Sequence, residues 1–205
     1  VTVVAIVLAA GASTRFGSPK MMTPLDGRPL LEHALDALAT AGLDDVIVVL
    51  GADAAAIEAA MHWRGERRVV NPRPGDGLSS SLRVGLDAAV EVPGADAALI
   101  VLGDQPFLRP AVVRSVLEAA DSPATAGASF VRPRYPSDPA PNPVLVRRSA
   151  WALAAGLAGD RGLGSLLANR PELVVEVPVE GANPDVDTPA DLAAAQVAAA
   201  PEDRR

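Results

Sequence analysis

Apolar runs alternating with helical patterns predict an α/β fold: one three-layer domain, with a mostly parallel, mixed sheet covered on both faces by helices. Two observations carry that expectation. Unbroken apolar runs at residues 3–8, 46–50 and 97–102 have the character of strands buried on both sides. Between them apolar residues recur with helical spacing. Leu30, Leu31, Ala34, Leu35 and Leu38 share one face, Leu82, Leu86, Ala89 and Val90 another, and Val112, Val113, Val116 and Leu117 a third. Composition agrees: 205 residues make one sizeable core, and with 49% hydrophobic but only 3% aromatic residues that core must be built from Ala, Val and Leu. The domain is expected over residues 1–200, followed by a polar, frayed tail at 201–205.

The first strand runs into a loop of small residues, Ala9, Ala10, Gly11, Ala12 and Ser13, followed by Arg15 and Lys20. Such a loop lets backbone N–H groups approach a polyphosphate without side chains in the way, and the two cations supply the charge that phosphate oxygens need. It is not a P-loop, because five residues separate Gly11 from Gly17, and Ser18 and Pro19 precede Lys20. Nor is there a G-x-G-x-x-G dinucleotide fingerprint.

After the strand at 46–50 and a shorter one at 68–70 comes NPRPGDGLSSSLRVGL, residues 71–86. Gly75 and Gly77 make a turn, and Ser79, Ser80 and Ser81 fall where the next helix begins, so that hydroxyls and free N–H groups there could bond a nucleobase or ribose. An ordinary serine N-cap accounts for one serine and not for three. The strand at 97–102 leads through Gly103 to Asp104, with Gln105 and Pro106 shaping the turn. A carboxylate at that place is poorly explained by packing, since burying it bare costs several kcal/mol unless it is paired or bound to a cation; Asp104 is the leading metal-ligand candidate.

Residues 121–143 carry Pro123, Pro133, Pro136, Pro139, Pro141 and Pro143, too many for regular sheet or helix interior. That excursion is expected to form a wall of the acceptor site. Shorter strands are expected at 128–131, 144–146 and 174–177. The last helix starts with Thr188 as N-cap, Pro189 at the first position and Asp191 in the first turn. Asp185 and Asp187 stand two apart just before it, so in an extended stretch both face one site.

With 25 acidic against 18 basic residues the net charge is -7, the wrong balance for non-specific nucleic-acid binding. There is no cysteine, which excludes disulfides and thiolate metal sites and fits a reducing, cytoplasmic compartment. His33 and His62, each expected in a helix, lack zinc-ligand spacing and are expected to be structural or surface residues. The apolar start is too short to span a bilayer and lacks a basic flank, so no signal peptide, anchor or membrane partner is expected.

The first motif resembles the signature of the sugar-nucleotide and cofactor nucleotidyltransferases, which have a glycosyltransferase-A-like fold. The ordered series LAAGASTRFGSPK, DGRPLLEHALDAL, NPRPGDGLSSSLRVGL, VLGDQPFL, NPVLVRRSAW, GDRGLGSLL and DVDTPADL is similar to the molybdenum cofactor cytidylyltransferase family over nearly the whole chain. That resemblance implies a Rossmann-like, nucleotide-diphospho-sugar-transferase-like fold, with CTP and molybdopterin as substrates, Mg²⁺ as cofactor and pyrophosphate as product. Its triphosphate motif falls on Leu8, Ala9, Ala10, Gly11, Arg15 and Lys20, its nucleotide-binding serines on Ser79 and Ser80, and its metal carboxylates on Asp104 and Asp187. LAAG rather than LAGG, and LGDQP at the metal aspartate, imply cytidylyl rather than guanylyl transfer. A molybdenum hydroxylase or its insertion chaperone is the implied receiving partner.

The stretch YPSDPAPNPV, residues 135–144, departs from the family's glycine-rich pattern on the acceptor side. Arg83, Arg132, Arg134 and Arg161 are the candidates for holding an anionic acceptor. Rival readings are transfer to another phosphorylated small molecule or from GTP, a nicotine-blue-type NAD(P)H oxidoreductase, and a non-catalytic nucleotide sensor.

Overall fold

The computed structural model describes residues 1–11, 16, 19–136, 142–160 and 162–199. The expectations placed on Ala12, Ser13, Arg15, Gly17, Ser18, Arg161 and the tail at 201–205 fall outside these residues, as does half of the acceptor-side stretch, residues 137–141.

The strands are β1 (Val3–Ala9), β2 (Pro24–Leu25), β3 (Arg28–Pro29), β4 (Val46–Leu50), β5 (Arg67–Val70), β6 (Ala97–Leu102), β7 (Phe130–Arg134), β8 (Val144–Arg147) and β9 (Val174–Pro178). The helices are α1 (Leu30–Thr40), α2 (Ala54–Ala60), α3 (Leu78–Val90), α4 (Pro110–Asp121), α5 (Trp151–Ala155), α6 (Leu163–Asn169) and α7 (Pro189–Ala199). Seven strands form one sheet in the order β5-β4-β1-β6-β8-β7-β9, and β2 pairs with β3 in a small separate hairpin. β5, β4, β1 and β6 are mutually parallel, β8 is antiparallel to both β6 and β7, and β9 is parallel to β7. Only β8 therefore runs against the rest of the large sheet.

Side chains of β1 alternate between two cores, as strand geometry demands. Ala5, Val7 and Ala9 pack with Leu31, Leu38, Val113 and Val116 of α1 and α4. Val4, Ile6 and Leu8 pack with Leu82 and Leu86 of α3, Trp151 of α5 and Leu163 of α6. Residues on both faces of β1 are nearly or fully buried, which is why the strand reads as an unbroken apolar run. A third, smaller cluster joins Leu25 of the hairpin, Leu30, Val186 and Ala195 of α7.

Three expectations need correcting. Pro133 lies inside β7 and not in an irregular excursion: pairing of β7 with β8 ends at Val131, so the missing N–H of Pro133 removes no bond from that side, while β9 runs on alongside to Arg134. That strand also begins at Phe130, later than residue 128. His62 lies beyond α2, whose last turn closes at Met61, and its backbone N–H donates to Glu32. His33 is in α1 as expected, with Nε2 2.9 Å from the Leu25 carbonyl.

Candidate active site

Ligands of open α/β sheets gather beyond the carboxyl ends of the strands, and here β1 and β6 end side by side with Leu8 opposite Leu102. The Gly103 N–H donates to the Leu8 carbonyl at 3.0 Å, which delivers Asp104 against the loop leaving β1. Lys20 sits in a short 3-10 turn, Lys20–Met22, and is itself buried. Its ammonium donates to Asp104 Oδ2 at 2.6 Å and to Asp187 Oδ1 at 2.7 Å. Three predicted site residues, distant in sequence, thus meet at one point.

The backbone holds them there. Val186 N–H donates to the Asp104 carbonyl at 3.0 Å. Thr188 N–H donates to Asp191 Oδ2 at 2.8 Å, and Asp191 N–H donates to Thr188 Oγ1 at 3.2 Å. This reciprocal cap fixes the start of α7 and with it Asp187, as the sequence led us to expect for Thr188 and Asp191.

Burial works against the Lys20 charge, but Asp104 and then Asp187 outweigh it and hold its pKa above the usual lysine value. Burial, then the charge of Asp104, pushes the Asp185 carboxyl up to about 6, against a hydrogen bond from Gln105. Gln105 Nε2 donates to Asp185 Oδ1 at 2.7 Å and to the Asn183 carbonyl at 3.2 Å, while Asn183 Nδ2 donates to Gln105 Oε1 at 3.1 Å. Both amide residues are buried, so Gln105 does more than shape a turn: it ties the segment after β6 to the segment before α7. Sequence reasoning missed Asn183, although its spacing of two from Asp185 repeats that of Asp185 from Asp187.

Leu8, Ala10 and Gly11 line a cavity of about 410 Å³ together with Gly77, Asp104 and Asp185. Ala9 turns the other way, into the core under α1 and α4. Gly51, just after β4, lets the loop pass, because a Cβ there would lie 2.6 Å from the Ala10 carbonyl oxygen.

The serines at the start of α3 are used differently from expectation. No serine side chain caps the helix; the N-cap position is Gly77. Ser80 Oγ donates to the Gly77 carbonyl at 2.8 Å and lies 3.1 Å from the Arg73 carbonyl, while Asn71 Nδ2 donates to Ser80 Oγ at 2.7 Å and to Ser81 Oγ at 3.0 Å. Ser79 N–H donates to the Gly159 carbonyl at 3.2 Å. Ser80 therefore shapes the loop over residues 71–77 from within, Ser79 ties the start of α3 to Gly159, and it is Ser81 that lines the cavity.

The candidate arginines separate too. Arg83 donates from its guanidinium to the Ala155 and Leu157 carbonyls, tying α3 to the end of α5. Arg132 and Arg134 both pair with Glu176 of β9.

The donor set fits a hard divalent cation. Asp104 Oδ1 is buried and has no hydrogen-bond partner among the described residues, and carboxylate oxygens are the ligands such cations prefer. Among the described residues no three acidic, histidine or cysteine side chains converge as a metal cage. Asp104 and Asp187 would therefore share the ion with phosphate oxygens and water. Also among the described residues, no helix is long and apolar enough to cross a membrane.

Residues 5–174 match the family described as a MobA-like NTP transferase domain. The nicotine blue oxidoreductase of Paenarthrobacter nicotinovorans is 34% identical, over 91% of this chain and 92% of its own. Rv0371c from Mycobacterium tuberculosis H37Rv superposes with a TM-score of 0.83 at 34% identity, covering 96% of this chain and 97% of its own. Its complex with manganese gives a TM-score of 0.81 at 32% identity, over 98% and 100% of the two chains. A nucleotidyl transferase from Methanothermobacter thermautotroptrophicus superposes with a TM-score of 0.79 at 26% identity, over 96% and 97%.

Proposed function

Because this chain belongs to the MobA-like NTP transferase family, we propose that it is a divalent-metal-dependent nucleotidyltransferase. It would transfer CMP from CTP to the terminal phosphate of molybdopterin and release pyrophosphate. The observation that carries this reading is the meeting of Lys20, Asp104 and Asp187 beside the loop that leaves β1.

The reaction needs no side-chain base. A phosphate monoester has a second pKa of roughly 6 and is largely a dianion at neutral pH. One acceptor oxygen attacks the α-phosphorus of CTP in line, the bond to the β-phosphate oxygen breaks, and that oxygen leaves with pyrophosphate. Catalysis then rests on positioning and on neutralising charge. Lys20 stays protonated, since its two carboxylate partners outweigh burial, and with Arg15 it would balance charge on the leaving group. Asp104 and Asp187 would hold Mg²⁺, which supplies charge neutralisation at the phosphates when bound; the manganese complex of Rv0371c supports a divalent ion in this role. Leu8, Ala10 and Gly11 would border the triphosphate, with Ala9 supporting them from the core. Ser80 would serve nucleotide binding by fixing the neighbouring loop, and Ser79 by holding the start of α3 to Gly159. Delivery to a molybdenum hydroxylase or its insertion chaperone, and a cytoplasmic setting, belong to the same proposal.

A mass-spectrometric product assay with Mg²⁺, molybdopterin, and CTP, GTP and ATP in competition tests it. A cytosine dinucleotide with matching pyrophosphate is the expected result. A guanine product overturns the base assignment, and absence of any dinucleotide overturns the acceptor. One further reading has an observation behind it: the identity to a nicotine blue oxidoreductase over nearly the full length. Oxidation of NADH or NADPH by the purified protein in the presence of that dye would favour it over transfer.

A further inference from the structure

Lys20 is the only lysine in the chain; the other 17 of its 18 Lys and Arg residues are arginines. That one ammonium stands between two carboxylate oxygens, Asp104 Oδ2 at 2.6 Å and Asp187 Oδ1 at 2.7 Å. Hard divalent cations take such oxygens at roughly 2.0–2.6 Å, so an ion gripped by the same two atoms would lie in contact with the nitrogen. An ammonium has three donors and no acceptor. It cannot become a ligand of the ion, and the two positive charges repel. The carboxylate pair therefore serves one cation at a time.

The choice of lysine decides how easily the pair changes hands. An arginine would grip both carboxylates with a rigid planar fork, whereas lysine is a point charge on a flexible four-carbon stem. Lys20 rises from the short turn Lys20–Met22, and Met21 of that turn lines the cavity of about 410 Å³ with Leu8, Gly11 and Asp104. Through Asp104 the ammonium already touches one wall of that cavity. An ion can approach past Asp187, whose side chain is 50% exposed, against 11% for Lys20. Asp104 offers it a further oxygen, since Oδ1 is buried with no hydrogen-bond partner among the described residues. A divalent ion there would neutralise both carboxylates and cancel the attraction that holds the ammonium between them.

We propose that Lys20 is the resident counter-ion of the metal site: its ammonium holds Asp104 and Asp187 together ahead of the ion, yields the pair to it, and passes to the phosphates of the nucleotide. The inference rests on the transferase reading, which supplies both the ion and the nucleotide. One residue then opposes the metal in the free protein and favours the nucleotide in the loaded one. Each ligand tightens the other in consequence, by the same factor in both directions.

Three variants test this: Lys20→Met, which keeps an unbranched stem without the charge; Lys20→Arg, which keeps the charge; and Lys20→Met combined with Asp104→Asn. Mn²⁺ binding is read from the paramagnetic resonance of the free ion, with and without CTP, and thermal unfolding establishes that each variant is folded. Without nucleotide, Lys20→Met is expected to bind Mn²⁺ at least ~10-fold more tightly than the wild type, the scale of one close charge pair. The factor by which CTP tightens Mn²⁺ should shrink to match. Lys20→Arg should bind Mn²⁺ as weakly as the wild type, and Asp104→Asn should erase the gain made by Lys20→Met. Mn²⁺ binding by Lys20→Met no tighter than by the wild type, or an undiminished effect of CTP, overturns the proposal. So does a gain shared by Lys20→Arg, which charge would not explain, or one that survives Asp104→Asn, which would place the ion elsewhere. Should Lys20→Met fail to fold, the wild type decides, because ¹⁵N-labelled lysine gives this chain a single side-chain signal. That signal should move as Mg²⁺ is added without nucleotide, and a signal unmoved when Mg²⁺ saturates the site overturns the proposal. None of these results touches the transferase reading, which falls instead if no nucleoside triphosphate yields pyrophosphate with any acceptor.

Discussion

Gly77 and Gly159 meet backbone to backbone: a Cβ on Gly77 would stand 2.4 Å from the Gly159 carbonyl carbon. Gly77 also has φ 90 and ψ 179, a conformation that is essentially glycine's alone. The loop ahead of α3 is therefore pressed against the segment ahead of α6, with Ser79 N–H bonded to Gly159 across the contact.

Gly77→Ala should distort both segments at once. The backbone strain alone is about 1–3 kcal/mol, and the close approach adds to it. Thermal unfolding should shift down by several degrees, and the KM for the nucleotide should rise. An unchanged Tm and KM would show that the contact is dispensable.

Asp104→Ala should reduce turnover at least ~100-fold, the scale for removing one preorganised electrostatic element, and Lys20→Ala should act similarly. The metal assignment also predicts weaker binding of Mn²⁺ plus CTP in Asp104→Ala, read by the paramagnetic relaxation of water protons. Near-normal turnover in either variant would remove that residue from the chemistry.

Chelation of divalent ions should abolish turnover, with recovery on adding back Mg²⁺ or Mn²⁺. The described residues offer two carboxylates at Lys20 and no closed cage of three, so the free protein should bind the ion weakly and the nucleotide should tighten it. Isothermal titration with and without CTP separates this from a preformed metal site, which would bind equally in both.

Asn71→Ala should loosen the loop over residues 71–77 by leaving Ser80 and Ser81 without their buried donor. The cost is about 1–3 kcal/mol. Ser80→Ala should show a smaller version of the same effect. Hydrogen exchange confined to that loop and the start of α3 is the signature sought; a change spread over the whole sheet would point to a global role.

Asp36 joins Arg28 and Arg64. Burial opposes ionisation there, but the two guanidiniums prevail and lower its pKa from the usual 3.8. A lowered folded pKa means the stabilisation is complete above the unfolded value and is lost as pH falls through the folded one. Asp36→Asn should therefore be less stable than the wild type at pH 7, by no more than about 1 kcal/mol for so exposed a cluster. The difference should shrink as pH drops below 4. A gap in Tm that stays constant from pH 7 to pH 3 would exclude the ionic contribution.

Much of this was legible in the sequence. The strands at 46–50 and 97–102 coincide with β4 and β6, because a run buried on both faces has no polar residue to blur its ends. The start of α7 was equally clear, since a cap is local chemistry. Long-range pairing was not legible. Nothing near Pro133 announces that β8 stops short of it, and nothing near Arg83 announces carbonyls at the end of α5. For Ser80 the sequence offered a hydroxyl in a turn but could not say that Asn71 and Gly77 would claim it. The residue types at the site were readable, while their partners depend on which segments the sheet order brings together.

β8, reversed between β6 and β7, has a consequence for how such a chain can change. The parallel half of the sheet holds β1, β4 and β6, whose carboxyl ends lead to Gly11 and Asp104, and the other half holds β8 and β7, which contribute Val144 and Arg132 to the lining of a cavity of about 670 Å³. Their junction is a single antiparallel seam with its own short register. Residues 130–178, which keep β9 with its partner β7, are thus one cassette that a relative's could replace while every parallel pairing among β5, β4, β1 and β6 stays as it is.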